Sequence, residues 1–166
     1  MTTKMSTPTP SGGTTTFVNG LEGLRAVAGK DLGVTGWHEI TQGRVNTFAD
    51  ATDDHQWIHV DVERAADGPF GAPIAHGYLT VSLLIKLFAE LLDVQGVGMG
   101  VNYGLDKLRF PSPVRVGSPI RLHGTVDSVE DVPGDGVQVS VDITVEVEGS
   151  AKPACVARVL YRYYPQ

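Results

Sequence analysis

The stretch from residue 77 to residue 93 constrains the fold of this chain most, because it combines helical periodicity with an almost wholly apolar composition. After the first turn, its polar positions fall on one narrow stripe, formed by Ser82, Lys86, Glu90 and Asp93. The other positions after that turn are Leu, Val, Ile, Phe or Ala. A helix that is apolar over most of its circumference must be covered by other structure. The stretch therefore predicts a long helix at the centre of a domain.

Four later segments have the period-2 alternation that is typical of strands. They are residues 97–110, 119–129, 137–147 and 154–163. The third is the clearest, since every second residue from Val137 to Val147 is Val or Ile and the residues between are polar. Strands that follow one another through short turns form an antiparallel sheet with one apolar face. That face needs a cover, so the chain is predicted to be a single α+β domain in which a curved antiparallel sheet wraps around the central helix.

Shorter elements are predicted before the helix. Residues 1–16 are rich in Thr, Ser, Pro and Gly and predict a disordered N-terminal tail, which leaves residues 17–166 for the domain. Turn residues and apolar spacing then predict helices over 21–28, over 44–51 with Thr41 as N-cap, and over 61–66 with Asp61 as N-cap, a strand over 37–40 and a loop over 68–73.

The composition argues against several kinds of partner and site. The formal net charge is −6 and Lys and Arg do not cluster, which predicts no nucleic-acid and no anionic-membrane partner. The longest apolar stretch, 78–92, is too short to span a bilayer, and the N-terminus lacks the apolar segment of a secretory signal. A cytoplasmic protein is therefore predicted. The single Cys155 and five scattered His residues show no metal-ligand spacing, so no metal site is predicted.

Acid–base chemistry is indicated by a segment just before the helix. Asp54 and His59 lie five positions apart within Asp-Asp-His-Gln-Trp-Ile-His, residues 53–59. Carboxylates and imidazoles are the groups that commonly move protons in active sites. The sequence Ala-His-Gly, residues 75–77, follows at the start of the helix, where N–H groups lack intrahelical partners and lie at the positive end of the dipole. An acid–base pair beside an anion-binding helix start suits chemistry next to a carbonyl group.

These residues resemble a motif of the MaoC-like, R-specific enoyl-CoA hydratase family, which has the hot-dog fold. The family carries a pattern close to Gly-Asp-x-Asn-Pro-x-His and then Ala-His-Gly at the start of the central helix; the matching segments here are 53–59 and 75–77. The resemblance continues through 102–111 and covers nearly the whole chain except the tail. A positive φ at position 53 would favour the family's usual Gly. Three residues depart from the pattern, namely Asp53 in place of Gly, Gln56 in place of Asn and Trp57 in place of Pro.

The resemblance implies a reaction and the roles of three residues. The reaction is R-specific hydration of a 2-trans-enoyl-CoA to a (3R)-3-hydroxyacyl-CoA, or its reversal, in fatty acid metabolism. Asp54 and His59 would hold and activate one water molecule, and the N–H of Gly77 would bind the thioester oxygen. No cofactor is expected, because coenzyme A is carried by the substrate. A homodimer joined at the sheet edges is also expected, since an unpaired edge strand is otherwise a liability.

The residues leave other interpretations open. Asp54 alone is consistent with a loop or cap residue, and His59 alone with a hydrogen-bonded structural histidine. His76 either packs at a subunit boundary or lines the site. The same fold could serve an acyl-CoA thioesterase instead of a hydratase. It could also serve a non-catalytic acyl-CoA-binding protein or one subunit of a heterodimeric dehydratase.

Overall fold

The fold is one six-stranded sheet with a long helix against its buried face, and the computed structural model describes residues 12–166 of the chain. The elements in chain order are β1 (Thr16–Asn19), α1 (Gly20–Arg25), β2 (Asp31–Val34), β3 (His38–Glu39), α2 (Gln42–Thr52), α3 (Trp57–Val60), α4 (Val62–Ala66), α5 (Gly77–Leu91), β4 (Leu92–Gln95), β5 (Met99–Arg109), β6 (Pro119–Val132), β7 (Gly136–Val147) and β8 (Cys155–Tyr164).

The main sheet runs in the order β2-β6-β7-β8-β5, and the short strand β3 also pairs with β6. All of its pairings are antiparallel. In the middle of the sheet, Val141 of β7 lies opposite Val126 of β6 and Val159 of β8. The four segments that were predicted from alternation correspond to β5, β6, β7 and β8. The predicted antiparallel sheet is therefore confirmed, and β5 forms one of its edges.

Helix α5 packs against the apolar face of this sheet. The ring of Phe88 stacks on Tyr161 of β8 with 4.8 Å between the ring centroids. The side chain of Leu91 comes so close to Gly124 of β6 that a Cβ at Gly124 would lie 3.2 Å from it. The predicted α+β arrangement of sheet and central helix is confirmed. The buried residues of the helix are Leu79, Thr80, Leu84, Leu87, Phe88 and Leu91.

The cover over α5 is incomplete on one side. Ile85 points outward from the helix and is exposed, and the neighbouring edge strand β5 is exposed along most of its length. A cleft of about 210 Å³ lies between the helix and the strand. We call this region the β5–α5 surface, and its exposed apolar residues are Ile85, Met99, Val101, Tyr103 and Leu105.

Helix α5 ends earlier than predicted, at Leu91 rather than at residue 93. Leu92 has extended backbone angles, φ −135° and ψ 115°, and begins β4. Strand β4 pairs in parallel with β1, so these two strands form a second, two-stranded sheet. The helical pattern of apolar residues continues through Leu92, which is why the end of the helix was predicted too late.

The N-terminal tail was predicted to be too long at its C-terminal end. The N–H of Gly13 donates to the carbonyl of Val34 at 2.9 Å. The hydroxyl of Thr15 donates to the carbonyl of Glu90 at 2.8 Å, and Thr16 begins β1. Residues 12–16 are therefore attached to the domain, while residues 1–11 of the predicted tail lie outside the described residues.

Four shorter helices precede α5 in the part of the chain that the structure describes, and two of them begin at the predicted N-caps. Thr41 accepts a hydrogen bond from the N–H of Arg44 at 3.2 Å, and Asp61 accepts one from the N–H of Arg64 at 3.1 Å. These contacts satisfy N–H groups that lack partners inside the helix. Within residues 12–166, no helix has the length and apolar character needed to cross a membrane.

Candidate active site

Asp54 lies in the exposed link between α2 and α3. The preceding residue, Asp53, ends α2 in the left-handed conformation with φ 58° and ψ 18°. This conformation stops the helix and turns the chain, so that Asp54 leaves the helix axis. The side chain of Asp54 is 53% exposed. Its carboxylate is therefore accessible to water and to a bound molecule.

The backbone angles of Asp53 explain why a related sequence would carry Gly at this position. Only Gly adopts a positive φ without a steric penalty, although Asp tolerates it better than most residues. We expect Asp53→Gly to change the free energy of unfolding by less than about 1 kcal/mol, because relief of strain is offset by the greater freedom of Gly in the unfolded chain. Asp53→Ala should destabilise by roughly 1–2 kcal/mol, because Ala retains the strain. Urea unfolding of the three proteins measures both changes.

Asp67 supplies the matched control for this pair of variants. It is also an exposed Asp at a helix C-cap, but its φ of −88° is ordinary. Asp67→Ala should therefore change the stability by no more than about 0.5 kcal/mol. Equal losses in Asp53→Ala and Asp67→Ala would contradict the role assigned to the positive φ.

His59 lies on α3 with its ring buried, at 7% exposure. Its Nδ1 is 2.7 Å from the carbonyl oxygen of Ile74. A carbonyl oxygen only accepts hydrogen bonds, so Nδ1 must carry a proton and donate it. In the neutral ring, Nε2 then keeps a free lone pair and can accept a proton. The hydrogen bond therefore fixes the tautomer that a general base requires.

The surroundings of His59 also favour its neutral form. Burial lowers the pKa of the His59 imidazole below its ordinary value of 6.5. The hydrogen bond to the Ile74 carbonyl raises the pKa of His59, and the charge of Asp54 also raises it. The neighbouring His76 lowers this pKa further. Burial is the largest of these effects, because the charged imidazolium loses its hydration there. A neutral His59 at pH 7 is ready to take a proton.

His76 immediately precedes α5 and is 3% exposed. Its Nε2 is 2.9 Å from the backbone carbonyl oxygen of Asp54, so Nε2 carries a proton and donates it there. Its ring stacks on that of His59 with 3.8 Å between centroids and 23° between planes. Of the two interpretations left open by the sequence, the structure supports the second, in which His76 lies against the candidate site residues.

Asp54, His59 and His76 form one compact group. A carboxylate oxygen and one ring nitrogen from each histidine all lie within 4.8 Å of one another. One water molecule can bridge polar atoms at this separation. The same spacing would allow a metal ion, but Nδ1 of His59 and Nε2 of His76 already bind carbonyl oxygens. The arrangement thus suits proton transfer through a held water better than metal coordination, and the absence of a metal stays a prediction.

Gly77 is the first residue of α5, so its N–H has no intrahelical partner. It follows His76 directly, which brings the predicted anion-binding N–H next to the residue that contacts Asp54. A Cβ at position 77 would lie 2.9 Å from the ring of Phe110. The reason for Gly at this place is therefore, at least in part, the close approach of Phe110. The sequence had indicated only the approach of a thioester.

A mostly apolar cavity of about 280 Å³ opens at Gly77. Ile74, whose carbonyl holds His59, also lines it. The residue whose carbonyl holds the candidate base and the residue whose N–H would bind an oxyanion therefore line the same cavity, while Asp54 and His59 are not among its lining residues. The other lining residues are Phe70, Ala75, Thr80, Phe110, Pro111, Ser112, Pro113, Val114 and Ala154.

Sequence reasoning missed two groups that hold the site together. The carbonyl of Ile74 belongs to the main chain, so its hydrogen bond to His59 cannot be predicted from the residue type. The side-chain amide of Gln42, at the start of α2, donates to the carbonyl of His59 at 2.8 Å. Gln56 is exposed and makes no side-chain cap bond on α3. The site is therefore supported by Gln42 from α2 rather than by the amide that stands inside the motif.

Comparisons with known proteins find relatives over most of the chain. The "3-hydroxyacyl-thioester dehydratase Z" of Mycobacterium tuberculosis strain H37Rv is 56% identical over 140 residues, which cover 84% of this chain and 93% of that protein. "Nodulation protein N" of Rhizobium meliloti is 43% identical over 141 residues, which cover 82% of this chain and 86% of that protein.

Among solved structures, the (R)-hydratase of A. caviae involved in PHA biosynthesis superposes with a TM-score of 0.64 at 22% identity. The match covers 84% of this chain and 96% of that one. The likeness identifies the hot-dog fold that was predicted from the motif. A protein-family model described as the MaoC like domain matches residues 25–149. The chain therefore belongs to the MaoC-like domain family.

Proposed function

We propose that this protein is a hydro-lyase of 3-hydroxyacyl thioesters, which interconverts (3R)-3-hydroxyacyl-CoA and 2-trans-enoyl-CoA. The observation that carries the proposal is the tautomer of His59. Its Nδ1 donates to the carbonyl of Ile74, so a lone pair remains on Nε2, and a ring nitrogen of His59 lies within 4.8 Å of a carboxylate oxygen of Asp54. The name of the Mycobacterium relative supports the thioester substrate, and the family resemblance supports the (3R) configuration.

In the direction of hydration, Asp54 and His59 hold one water molecule between them. Its oxygen forms a bond to the β-carbon of the enoyl thioester, while the C=C π electrons move toward the thioester carbonyl. The proton that the water loses is passed to the α-carbon on the same face, so one water is consumed and no other reactant is needed. The N–H of Gly77 stabilises the enolate-like oxygen between these events.

The proposed substrate brings its own coenzyme A, so the reaction needs no bound cofactor. The cavity at Gly77 is lined mostly by apolar groups, and its polar side chains are those of Thr80 and Ser112. A mostly apolar lining with few polar groups is typical of sites that bind an apolar chain. The thioester carbonyl would lie at Gly77, and the rest of the acyl thioester would extend away from it.

We also propose that the protein forms a homodimer through the β5–α5 surface. Strand β5 is an edge of the main sheet, and its exposed side chains include Met99, Val101, Tyr103 and Leu105. An exposed apolar edge strand offers unpaired N–H and C=O groups to another strand. A second copy of β5 would pair with these groups and cover the exposed side of α5.

The function is tested by incubating the purified protein with short, medium and long 2-trans-enoyl-CoAs. Loss of the enoyl thioester absorbance, with a 3-hydroxyacyl-CoA of (3R) configuration as product, is the expected result. Release of free thiol from saturated acyl-CoA would instead indicate a thioesterase. Binding of acyl-CoA without turnover would indicate a binding protein. Activity that needs a second, different chain would indicate one subunit of a heterodimeric dehydratase.

The pH dependence of kcat/KM is expected to reflect the lowered pKa of His59. The neutral ring is the active form, so activity is lost when the ring becomes protonated. Because burial lowers the pKa of His59, the midpoint of the acid decline in kcat/KM should lie below pH 6.5, the ordinary value of a histidine ring. Initial rates of enoyl-CoA hydration across this range measure the decline.

His55 gives the control for this pH profile. It is exposed on the same link, and its hydrogen bond with Asp50 raises the pKa of its ring. If His55 caused the acid decline, the midpoint of the decline would lie above pH 6.5, and the decline would disappear in His55→Gln. The profile of His55→Gln should instead match that of the wild type.

Replacing Gly77 with Ala is expected to lower kcat/KM by about tenfold, because a Cβ at this place disturbs the position of the thioester. The new Cβ meets the far end of the Phe110 ring, which is partly exposed and can turn away. The thermal stability should therefore change by only a few degrees. Hydration kinetics and thermal unfolding measure the two effects. Full activity in Gly77→Ala would contradict a close approach of substrate at this position.

A further inference from the structure

His76 is a buried polar residue to which neither the reaction nor the fold has so far assigned a role. It lies between the two predicted catalytic residues and contacts both of them. Its ring is 3% exposed, and its Nε2 already donates to the backbone carbonyl of Asp54. Its part in the reaction therefore lies in these two contacts.

The first contact of His76 is with the main chain of Asp54. The Nε2–H of His76 donates to the backbone carbonyl of Asp54 at 2.9 Å, across 22 positions of sequence. The same nitrogen is 3.9 Å from the carboxylate, which is too long for a hydrogen bond. The bond therefore holds the backbone of Asp54 and leaves the carboxylate free. Because the link around Asp54 is exposed, this buried donor gives it an anchor on the helix start.

The second contact of His76 is with the ring of His59. The two imidazoles lie face to face at 3.8 Å, and Phe48 covers His76 from α2 with 4.9 Å between ring centroids. One face of His59 is thereby shielded from water by a flat ring. This shielding contributes to the burial that keeps His59 neutral.

The other ring nitrogen of His76 does not stabilise the fold through a hydrogen bond. Nδ1 is buried and has no hydrogen-bond partner among residues 12–166. An unsatisfied buried polar atom is unfavourable for stability, so stability alone would favour an apolar ring at this position. Retention of an imidazole here is explained if both its donor and its flat face serve the site.

We propose that His76 is a positioning residue that acts through two separate contacts. Its Nε2–H holds the backbone of Asp54 in place, and its ring face shields His59 from water. This inference rests on the proposed hydro-lyase function of Asp54 and His59. It predicts that the two contacts can be removed one at a time, with different effects on the kinetics.

The test uses two substitutions of His76 in the full-length protein. His76→Phe keeps a flat ring but removes the donor, so we expect kcat to fall on the order of 10²-fold. The acid decline should move only slightly to higher pH, because the charge of His76, which lowers the pKa of His59, is lost while the shielding ring remains. His76→Gln keeps an N–H donor near the place of Nε2 but removes the ring. We expect its kcat at pH 8 to stay within about threefold of the wild type, while the acid decline moves to higher pH than in His76→Phe, because His59 also becomes hydrated. Asp54 and His76 are the titratable groups whose charges act on His59.

Readouts that need no turnover separate a failure of this inference from a failure of the proposed function. NMR titration of the His59 ring should show a clearly higher pKa in His76→Gln than in His76→Phe, because both variants lose the charge of His76 and only His76→Gln also loses the ring. Amide hydrogen exchange at residues 53–56 should accelerate in His76→Phe only. His123→Gln is the matched control, because His123 is partly exposed on β6 and binds Asp31 far along the chain from the site. It should behave as the wild type in all measurements.

Each possible outcome decides a different claim about the protein. A wild-type protein that hydrates no enoyl thioester refutes the proposed function, and the NMR and exchange measurements then still decide whether His76 positions its neighbours. Wild-type kcat and exchange in His76→Phe overturn the role of the donor. An acid decline and a His59 titration in His76→Gln that match those of His76→Phe overturn the role of the ring. Identical defects in both variants overturn the separation of the two contacts.

Discussion

Replacing Asp54 with Asn is expected to lower kcat for enoyl-CoA hydration by on the order of 10³-fold while the fold stays intact. Asn has nearly the shape of Asp but neither its negative charge nor its ability to accept a proton. The side chain is half exposed, so its replacement should change the stability by less than about 0.5 kcal/mol. The KM should change little, since the carboxylate is proposed to act on the water rather than to bind the thioester. Steady-state kinetics and thermal unfolding measure these effects.

Asp53→Asn is the matched control, because it makes the same chemical change one residue earlier. Asn tolerates the positive φ of position 53, so neither the backbone nor the activity should change much. The double variant with His59→Gln adds a sharper test. If Asp54 and His59 act together on one water, the double variant should be little worse than the poorer single variant. Multiplied losses would show that the two residues act independently, and wild-type activity in Asp54→Asn would refute the proposed mechanism.

The parts of the fold that could be predicted are those in which periodicity and burial agree. Strand β7 alternates strictly and lies in the middle of the sheet, where one face is wholly buried. Helix α5 was recognised from its apolar composition, and its N-terminus at Gly77 was predicted correctly. The N-caps of Thr41 and Asp61 were also identified, since a cap depends on local sequence alone.

The elements that were missed are those whose formation depends on distant parts of the chain. Strands β1 and β4 are four residues long and pair with each other across more than seventy positions. Strand β2 has a register shift between Asp31 and Gly33, which interrupts the alternation that would have identified it. Local propensity carries little information about such strands, because their partners determine their conformation.

Only those features of the candidate site that depend on side-chain type could be predicted from the sequence. The spacing of Asp54 and His59 indicated an acid–base pair, and the structure brings a carboxylate oxygen and a ring nitrogen of these residues within 4.8 Å. Their catalytic roles remain predictions. The carbonyl of Ile74, which fixes the tautomer of His59, could not be predicted from residue types, because every residue has a carbonyl. The stacking of His76 on His59 depends on how α5 packs against α3, which no local pattern specifies.

Introducing Glu at both Val101 and Leu105 is expected to convert the proposed homodimer into a folded monomer. In a single chain these side chains are 37% and 40% exposed, so the charges would remain hydrated and the fold should be little affected. In the dimer the same charges would be buried at the interface without partners, at a cost of several kcal/mol each. The dissociation constant should therefore rise by on the order of 10³-fold or more. The mass measured by light scattering after size-exclusion chromatography gives the oligomeric state.

Val62→Glu is the matched control for this double variant. Val62 is also an exposed apolar residue, but it lies on α4 rather than on the β5–α5 surface. The control should keep the mass of the wild-type dimer, because a charge that stays in water carries no comparable penalty. A wild-type protein that is monomeric at the concentrations used for kinetics would contradict the proposed dimer. A double Glu variant that remains dimeric would show instead that the chains associate through another surface, and that the exposed edge of β5 has a different partner.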